Sequence, residues 1–273
     1  MQILIAGVVN ADLSDEEVCL MESIYDLTSQ IQADHFNRIA QDYSRHYGDK
    51  YSHEYRDRFI NKHLFAGINL EGANVLEAMC GSGETTSYLL LHGAHVTGLD
   101  VSEAEIEKFK TRWPDADGVC SSIFETKIEG ESMDCVVVVG GLHHLHPHLA
   151  DAVREMHRVL KKGGYFCFAE PHKGTIVDTV RQLWYRHDDL FAANEESIDI
   201  DGLKAKFKGL FDQEFETYSG NIGYLLVLNS MVFRIPLGIK KLYSPVLLRL
   251  EAFFERFQNR RFSCMTVARW RKL

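Results

Sequence analysis

Three short segments of this sequence carry residues able to bind or transform a ligand. VLEAMCGSGE (75–84) runs from an apolar stretch into a turn holding Gly81 and Gly83. Asp100 stands at the end of the next apolar stretch, AHVTGLD. Farther on, His143, His144 and His146 follow the run MDCVVVV, and Glu170 and His172 follow YFCFA. Glycines in such a turn let a ligand approach the backbone closely, and the first turn of a helix presents N–H groups that lack intrahelical partners. A carboxylate at a neighbouring strand end can accept both hydroxyls of a ribose. A histidine beside an acid can serve as a general base, with the acid orienting the ring and stabilising its charge.

For these residues to meet, the chain must be a particular kind of sheet. Apolar runs at 73–79, 94–99, 116–120, 133–139 and 165–169 read as strands, and 133–139 ends in four consecutive β-branched valines, as in a strand buried on both faces. Helical patterns lie between them at 84–92, at 102–113 with Ser102 as cap and Glu105 completing a capping box, and at 148–160, stopped by Lys161, Lys162, Gly163 and Gly164. Strand–helix alternation at this spacing predicts an α/β fold with a doubly wound, mostly parallel sheet and right-handed crossovers. Its ligand edge is the carboxyl edge of the strands. Further helices are expected near 175–188 and 200–211, and further strands near 214–219 and 263–270. Residues 1–70 read as an N-terminal helical cap, 71–220 as the core, 221–261 as a helical insertion and 262–273 as the last strand.

A ribose acid beside a glycine loop suits two cofactor classes. A nicotinamide dinucleotide wants G-x-G-x-x-G, but Thr86 occupies the third position, and Glu77 would set like charge against a pyrophosphate. S-adenosylmethionine carries a sulfonium and an ammonium, which carboxylates attract, so the electrostatics favour it. An NAD-dependent oxidoreductase remains the distant alternative.

The segment 75–84 resembles motif I of the class I (Rossmann-like) S-adenosylmethionine-dependent methyltransferases, in the small-molecule, type 11-like group. The usual acid-x-Gly-x-Gly-x-Gly is met at Glu77, Gly81 and Gly83, whereas Met79 replaces the first glycine and argues against close backbone approach there. GLDVS (98–102) is similar to the next motif, with Asp100 as the ribose acid. Ser122-Ile123 stands where the family often has Asp-Ala beside the adenine. MDCVVVVGGLHHL (133–145) and VLKKGGYFCFAEP (159–171) are similar to the strand-four and strand-five motifs. The resemblance covers about 70–173 and implies a seven-stranded sheet. It also implies S-adenosylmethionine bound by Tyr43, Glu77, Cys80, Gly81, Gly83, Asp100, Val101, Ser122, Ile123 and Gly140. Tyr47 is an alternative to Tyr43 for closing over the cofactor's methionine end.

Methyl transfer needs a positioned nucleophile and a base for its proton. His143 or His144 is the expected base with Glu170 as the acid behind it, and His146 and His172 are expected at the rim or surface. The expected reaction is O-methylation of a small-molecule hydroxyl, with C-methylation of a quinone or isoprenoid-like acceptor as the alternative. No metal ligand set is expected.

Composition bounds the remainder. Of 273 residues, 45% are hydrophobic and 25% charged, which excludes disordered and fibrous classes. The net charge of −9 argues against a nucleic-acid partner. It is also uneven: from Arg234 to Leu273 ten basic residues face two acids, a local +8 against −17 elsewhere. The six cysteines form no C-x-x-C pair, so reduced thiols and a cytoplasmic location are expected. Within the insertion a helix is expected to start at Pro245, with Val246, Leu247, Leu250, Phe253, Phe254 and Phe257 as one stripe. That stripe suits packing on the body, a homodimer, or peripheral membrane contact through 236–261. Arg249, Arg256 and Arg260 lie beside it, so an anionic or amphiphilic acceptor is preferred, with Lys240, Lys241 and Arg249 as the cations whose neutralisation tests it. The acidic stretch 188–201 is a candidate flap.

Overall fold

The computed structural model describes residues 24, 25, 27–30, 33, 45–175, 178 and 196–273. Seven strands form one sheet in the order β3-β2-β1-β4-β5-β7-β6. They are β1 (Asn74–Ala78), β2 (His95–Asp100), β3 (Asp117–Cys120), β4 (Met133–Val139), β5 (Leu160–Pro171), β6 (Phe211–Ser219) and β7 (Met265–Lys272). The first five run parallel, and β7 is antiparallel to both β5 and β6. The order reverses between β1 and β4, and the gap that opens there at the carboxyl edge is where ligands bind in doubly wound sheets.

Side chains alternate across the sheet, so β4 serves two cores. Cys135 and Val137 join Val75, Cys167 and Val267 on one side, whereas Val136 and Val138 join Leu76, Phe166, Phe168 and Trp270 on the other. Burial of both faces explains the unbroken apolar run in the sequence.

Helix α1 (Lys50–Arg56) passes through a π-helical turn (Asp57–Asn61) into a last turn, Lys62–Leu64. The core helices are α2 (Thr86–Leu91), α3 (Glu103–Arg112), α4 (Leu149–Val159) and α5 (Ile200–Lys206). As expected, Ser102 caps α3 by accepting from Glu105 N at 3.2 Å. Helix α2 is shorter than the expected 84–92, because residues 81–85 form turns around the loop. The lysine–glycine stretch after α4 is extended and opens β5, so that strand is longer than the apolar run alone predicts. The expected helix at 175–188 and the start of the candidate flap lie outside the described residues.

The insertion departs most from expectation. Helix α6 spans Leu237–Phe254, and Pro245 lies inside it rather than at its start. What fixes the earlier start is Lys240. Its ammonium is fully buried, pairs with Asp49, and donates to His46 O at 2.8 Å and Ser52 Oγ at 2.7 Å. Lys240 is therefore a strut to α1 and not a surface cation. Nearly two turns beyond Pro245, buried Glu251 accepts from Tyr55 Oη (3.0 Å), Asn221 N (2.8 Å) and Gly223 N (2.9 Å), tying α6 to the same helix. The face of α6 turned inward is thus largely polar, and the predicted apolar stripe points outward: Val246, Leu250, Phe253, Phe254 and Phe257 are exposed, with Leu247 half-buried.

Candidate active site

The loop after β1 turns through three left-handed residues, Met79 (φ 55°), Gly81 (φ 51°) and Gly83 (φ 83°). Met79 thus adopts the conformation that the family's glycine would, at a cost of about 1 kcal/mol for a residue with a Cβ. The turn is therefore kept although the first glycine is lost. Its neighbour yields instead: a Cβ on Gly141 would lie 2.8 Å from Met79 Sδ. Glu77 anchors the loop from below. It is buried, accepts from Thr85 N at 2.9 Å and from Thr86 Oγ1, and so ties β1 to the start of α2. Burial pushes its carboxyl up to about 7, against those two donors.

Asp100 closes the second side. Its Oδ2 accepts from Gly81 N and its Oδ1 from Ser102 N, both at 2.9 Å. Each carboxylate oxygen retains a lone pair for a hydroxyl. Cys80, Val101, Ser122 and Ile123 line the same cleft, and Ser122 Oγ sits 2.9 Å from Ser29 Oγ. Gly140 (φ 69°) also lines it and would meet nothing within 4 Å if it bore a Cβ, so the cleft floor is bare backbone there. Gly83 does not line the cleft: a Cβ on it would fall 2.4 Å from Trp113 Nε1, so this glycine makes room for an indole that donates to Ser82 O at 3.0 Å. Tyr43 lies outside the described residues. Tyr47, its alternative, lines the cleft, and its hydroxyl donates to Asn229 Oδ1 at 2.9 Å.

The histidine pair sits on the third side. Glu170, fully buried at the end of β5, accepts from Gly141 N and Leu142 N at 2.8 Å each, and its other oxygen lies 2.8 Å from His143 Nδ1. One carboxylate therefore fixes both the turn Leu142–His144 and the ring of His143. Burial pushes the Glu170 carboxyl up to about 7, opposed by those N–H donors and the nearby His144 ring. His143 and His144 both line the cleft, with ring centroids 4.0 Å apart. Glu170 is not among the lining residues and meets the cleft wall through His143 and the turn it holds. His146 lies 3.8 Å from Glu196 near the surface, whereas His172 is fully buried against Tyr218, contrary to the expected rim position. Among the described residues no group of three or more His, Cys, Asp or Glu is arranged to hold a metal ion.

Sequence reasoning missed Arg56 and Glu84. Both line the cleft and both are buried. Arg56 donates to Tyr47 O at 2.7 Å and lies 3.4 Å from Glu84, which Arg112 also reaches at 3.0 Å. The two guanidinium groups hold the Glu84 carboxyl below its usual range despite burial. No motif marks Arg56; only the folding of α1 over the loop brings it there. The described lining holds four carboxylates (Glu77, Glu84, Asp100, Glu105) and one guanidinium. That balance suits a ligand with a sulfonium, an ammonium and one carboxylate, and opposes a pyrophosphate. S-adenosylmethionine fits these residues: Asp100 for the ribose, Ser122 and Ile123 for the adenine, Gly81 and Gly140 for backbone approach, and Arg56 for the carboxylate.

Residues 76–168 match the family model described as a methyltransferase domain. This segment is a methyltransferase domain. The fold of the described residues agrees with it. Magnesium protoporphyrin IX methyltransferase of Synechocystis PCC 6803, solved with bound S-adenosylhomocysteine, superimposes with a TM-score of 0.60 over 90% of this chain and all of that one, at 15% identity. The N-methyltransferase NodS of Bradyrhizobium japonicum gives a TM-score of 0.52 over 85% of this chain and 97% of that one, also at 15% identity. By sequence, the chain is 39% identical over 107 residues to the phthiotriol/phenolphthiotriol dimycocerosates methyltransferase of Mycobacterium tuberculosis. That match spans 38% of this chain and only 39% of the relative. An uncharacterized methyltransferase of Synechocystis is 34% identical over 103 residues, 37% of this chain and 49% of that one. The methyltransferase family uses S-adenosylmethionine.

Proposed function

We propose that this methyltransferase transfers the methyl group of S-adenosylmethionine to a hydroxyl of a small molecule, with His143 as general base. The observation that carries this reading is the 2.8 Å contact between His143 Nδ1 and buried Glu170 at the cleft wall. The bound cofactor supplies an electrophilic methyl on a sulfonium. A hydroxyl is a poor nucleophile until its proton is removed as it attacks. Glu170 engages Nδ1, which assigns the proton transfer to His143 Nε2. As that ring gains charge, Glu170 stabilises it, so His143 is the catalytic base and Glu170 positions it. His144 packs against the base. The cleft must also keep the acceptor in line with the methyl, a role that suits Tyr47 and Asn229, which line the cleft and are bonded to each other.

The test is methyl transfer to a panel of hydroxyl acceptors with wild type and His143→Ala. Loss of a general base predicts a fall of about 10²- to 10⁴-fold in turnover with cofactor affinity unchanged. A second reading, C-methylation of a quinone or isoprenoid-like acceptor, draws support from the apolar side of the cleft, where Leu228, Met231, Val232 and Met265 lie. It predicts activity on such acceptors and the methyl recovered on carbon. The mycobacterial relative's name makes phthiotriol-type hydroxyls a sensible first panel.

A further inference from the structure

Helix α6 buries its polar side and shows its apolar side. Lys240, Ser244, Leu248 and Glu251 recur at three- and four-residue steps on the buried face. At 3.6 residues per turn the opposite face carries Ile239, Leu242, Val246, Leu250 and Phe253. They are 53, 81, 56, 41 and 52% exposed, and Phe257, 64% exposed, extends the stripe past the helix end. Scattered exposed leucines need no explanation, but a contiguous stripe of this kind marks an interaction surface.

Charge indicates what covers it. Lys241, Arg249 and Arg256 are exposed along one edge of the stripe, and Arg261 is exposed just beyond it. Lys241 and Arg249 form no ion pair among the described residues. The only acids in the segment are Glu251, buried under α6, and Glu255, which lies against His63. A second copy of this chain would bring the same cations and no exposed carboxylate from this face. A bilayer span is excluded for α6, since no helix among the described residues is long and apolar enough to cross a membrane. An apolar face bordered by cations is the pattern of a helix lying in the headgroup plane of an anionic bilayer.

We infer that α6 docks this protein on an anionic lipid surface, with Leu242, Val246 and Phe253 inserted and Lys241 and Arg249 at the headgroups. The helix also touches the cleft wall: Tyr243 Oη donates to Leu226 O at 2.6 Å, within the π-helical turn Tyr224–Leu228, whose Tyr224 and Leu228 line the cleft. Docking would therefore set the apolar side of the cleft beside the bilayer. This inference goes beyond the proposed reaction and does not depend on it.

The test is flotation of the full chain with vesicles of phosphatidylcholine alone and of phosphatidylcholine mixed with phosphatidylglycerol, without acceptor or turnover. Wild type is expected to float with the mixed vesicles, to float poorly with the neutral ones, and to be released by salt, since exposed charge pairs are screened. Leu242→Asp and Phe253→Asp should each weaken partitioning at least tenfold, and Lys241→Gln with Arg249→Gln about fivefold per cation removed. All four positions are exposed, so unchanged circular dichroism should accompany the loss. Three results would overturn the inference: no binding to mixed vesicles, binding that ignores these substitutions, or a dimer in sedimentation velocity that Leu242→Asp splits.

Discussion

Asp100 offers the sharpest quantitative test of the cofactor site. Its two oxygens already accept from Gly81 N and Ser102 N at 2.9 Å, which aims the carboxylate into the cleft and holds the loop around it. If it also accepts two ribose hydroxyls, each charge-assisted bond contributes about 1.5–3 kcal/mol. Asp100→Ala should then weaken S-adenosylhomocysteine binding by about 10²- to 10⁴-fold. Stability should also fall by about 1–3 kcal/mol, because two N–H groups lose an acceptor. A loose loop alone would weaken any ligand, so the decisive comparison is a double-mutant cycle with the 2′-deoxy analogue. Wild type should bind the analogue about tenfold or more weakly than the parent, whereas Asp100→Ala should bind the two alike. Calorimetric titration reads both affinities. If the folded Asp100→Ala variant keeps wild-type affinity, or still discriminates the 2′-hydroxyl, the ribose assignment is refuted.

Other expectations follow from the same geometry. Gly83→Ala should destabilise the protein by about 2–4 kcal/mol in urea denaturation, because the new Cβ would combine a left-handed φ with overlap on Trp113. Met79→Gly should leave stability within about 1 kcal/mol of wild type, since relieved strain offsets lost packing, whereas Met79→Val should cost more, a β-branched residue tolerating left-handed φ poorly. Glu77 and Glu170 both have folded carboxyls raised from 4.5 to about 7, so the fold holds protons that the unfolded chain releases. Stability should therefore be highest below the unfolded value and should decline as pH rises through about 4.5 to 7, by at most about 3 kcal/mol per group. Glu77→Gln should flatten its share of that slope in denaturation measured across the range. Glu170→Gln should keep the turn Leu142–His144 but disturb the His143 tautomer, lowering turnover by about 10²-fold or more while leaving cofactor affinity intact.

The sheet was legible because burial writes itself into the sequence. The run 133–139 alternates between two cores, and its boundaries match β4 residue for residue. The glycine loop, Asp100 and the His143–Glu170 pair were legible because strand ends at one sheet edge are neighbours by topology, which spacing alone reveals. The misreadings arose where tertiary contacts override local signals. Pro245 looked like a helix start, but Lys240 and Glu251 each find buried partners on or beside α1, and those contacts hold a helix through the proline. The stripe of α6 was visible, yet periodicity says only that a helix is two-faced and not which face turns inward. A buried lysine and glutamate reversed the usual answer. Gly83 matched the motif but makes room for Trp113, a residue thirty positions away that no local pattern connects to it. Arg56 carried no signal, since its place depends on how an N-terminal helix lies across the loop.

The central claim is that the cleft between Gly81, Asp100 and Gly140 holds S-adenosylmethionine with its methyl facing His143. Crystals grown with S-adenosylhomocysteine test it most directly. Density is expected with the ribose hydroxyls on the Asp100 carboxylate, the adenine beside Ser122 and Ile123, and the sulfur on the side of the cleft where His143 lies. Density elsewhere on the molecule, or a cleft that instead takes up a nicotinamide dinucleotide, would contradict it.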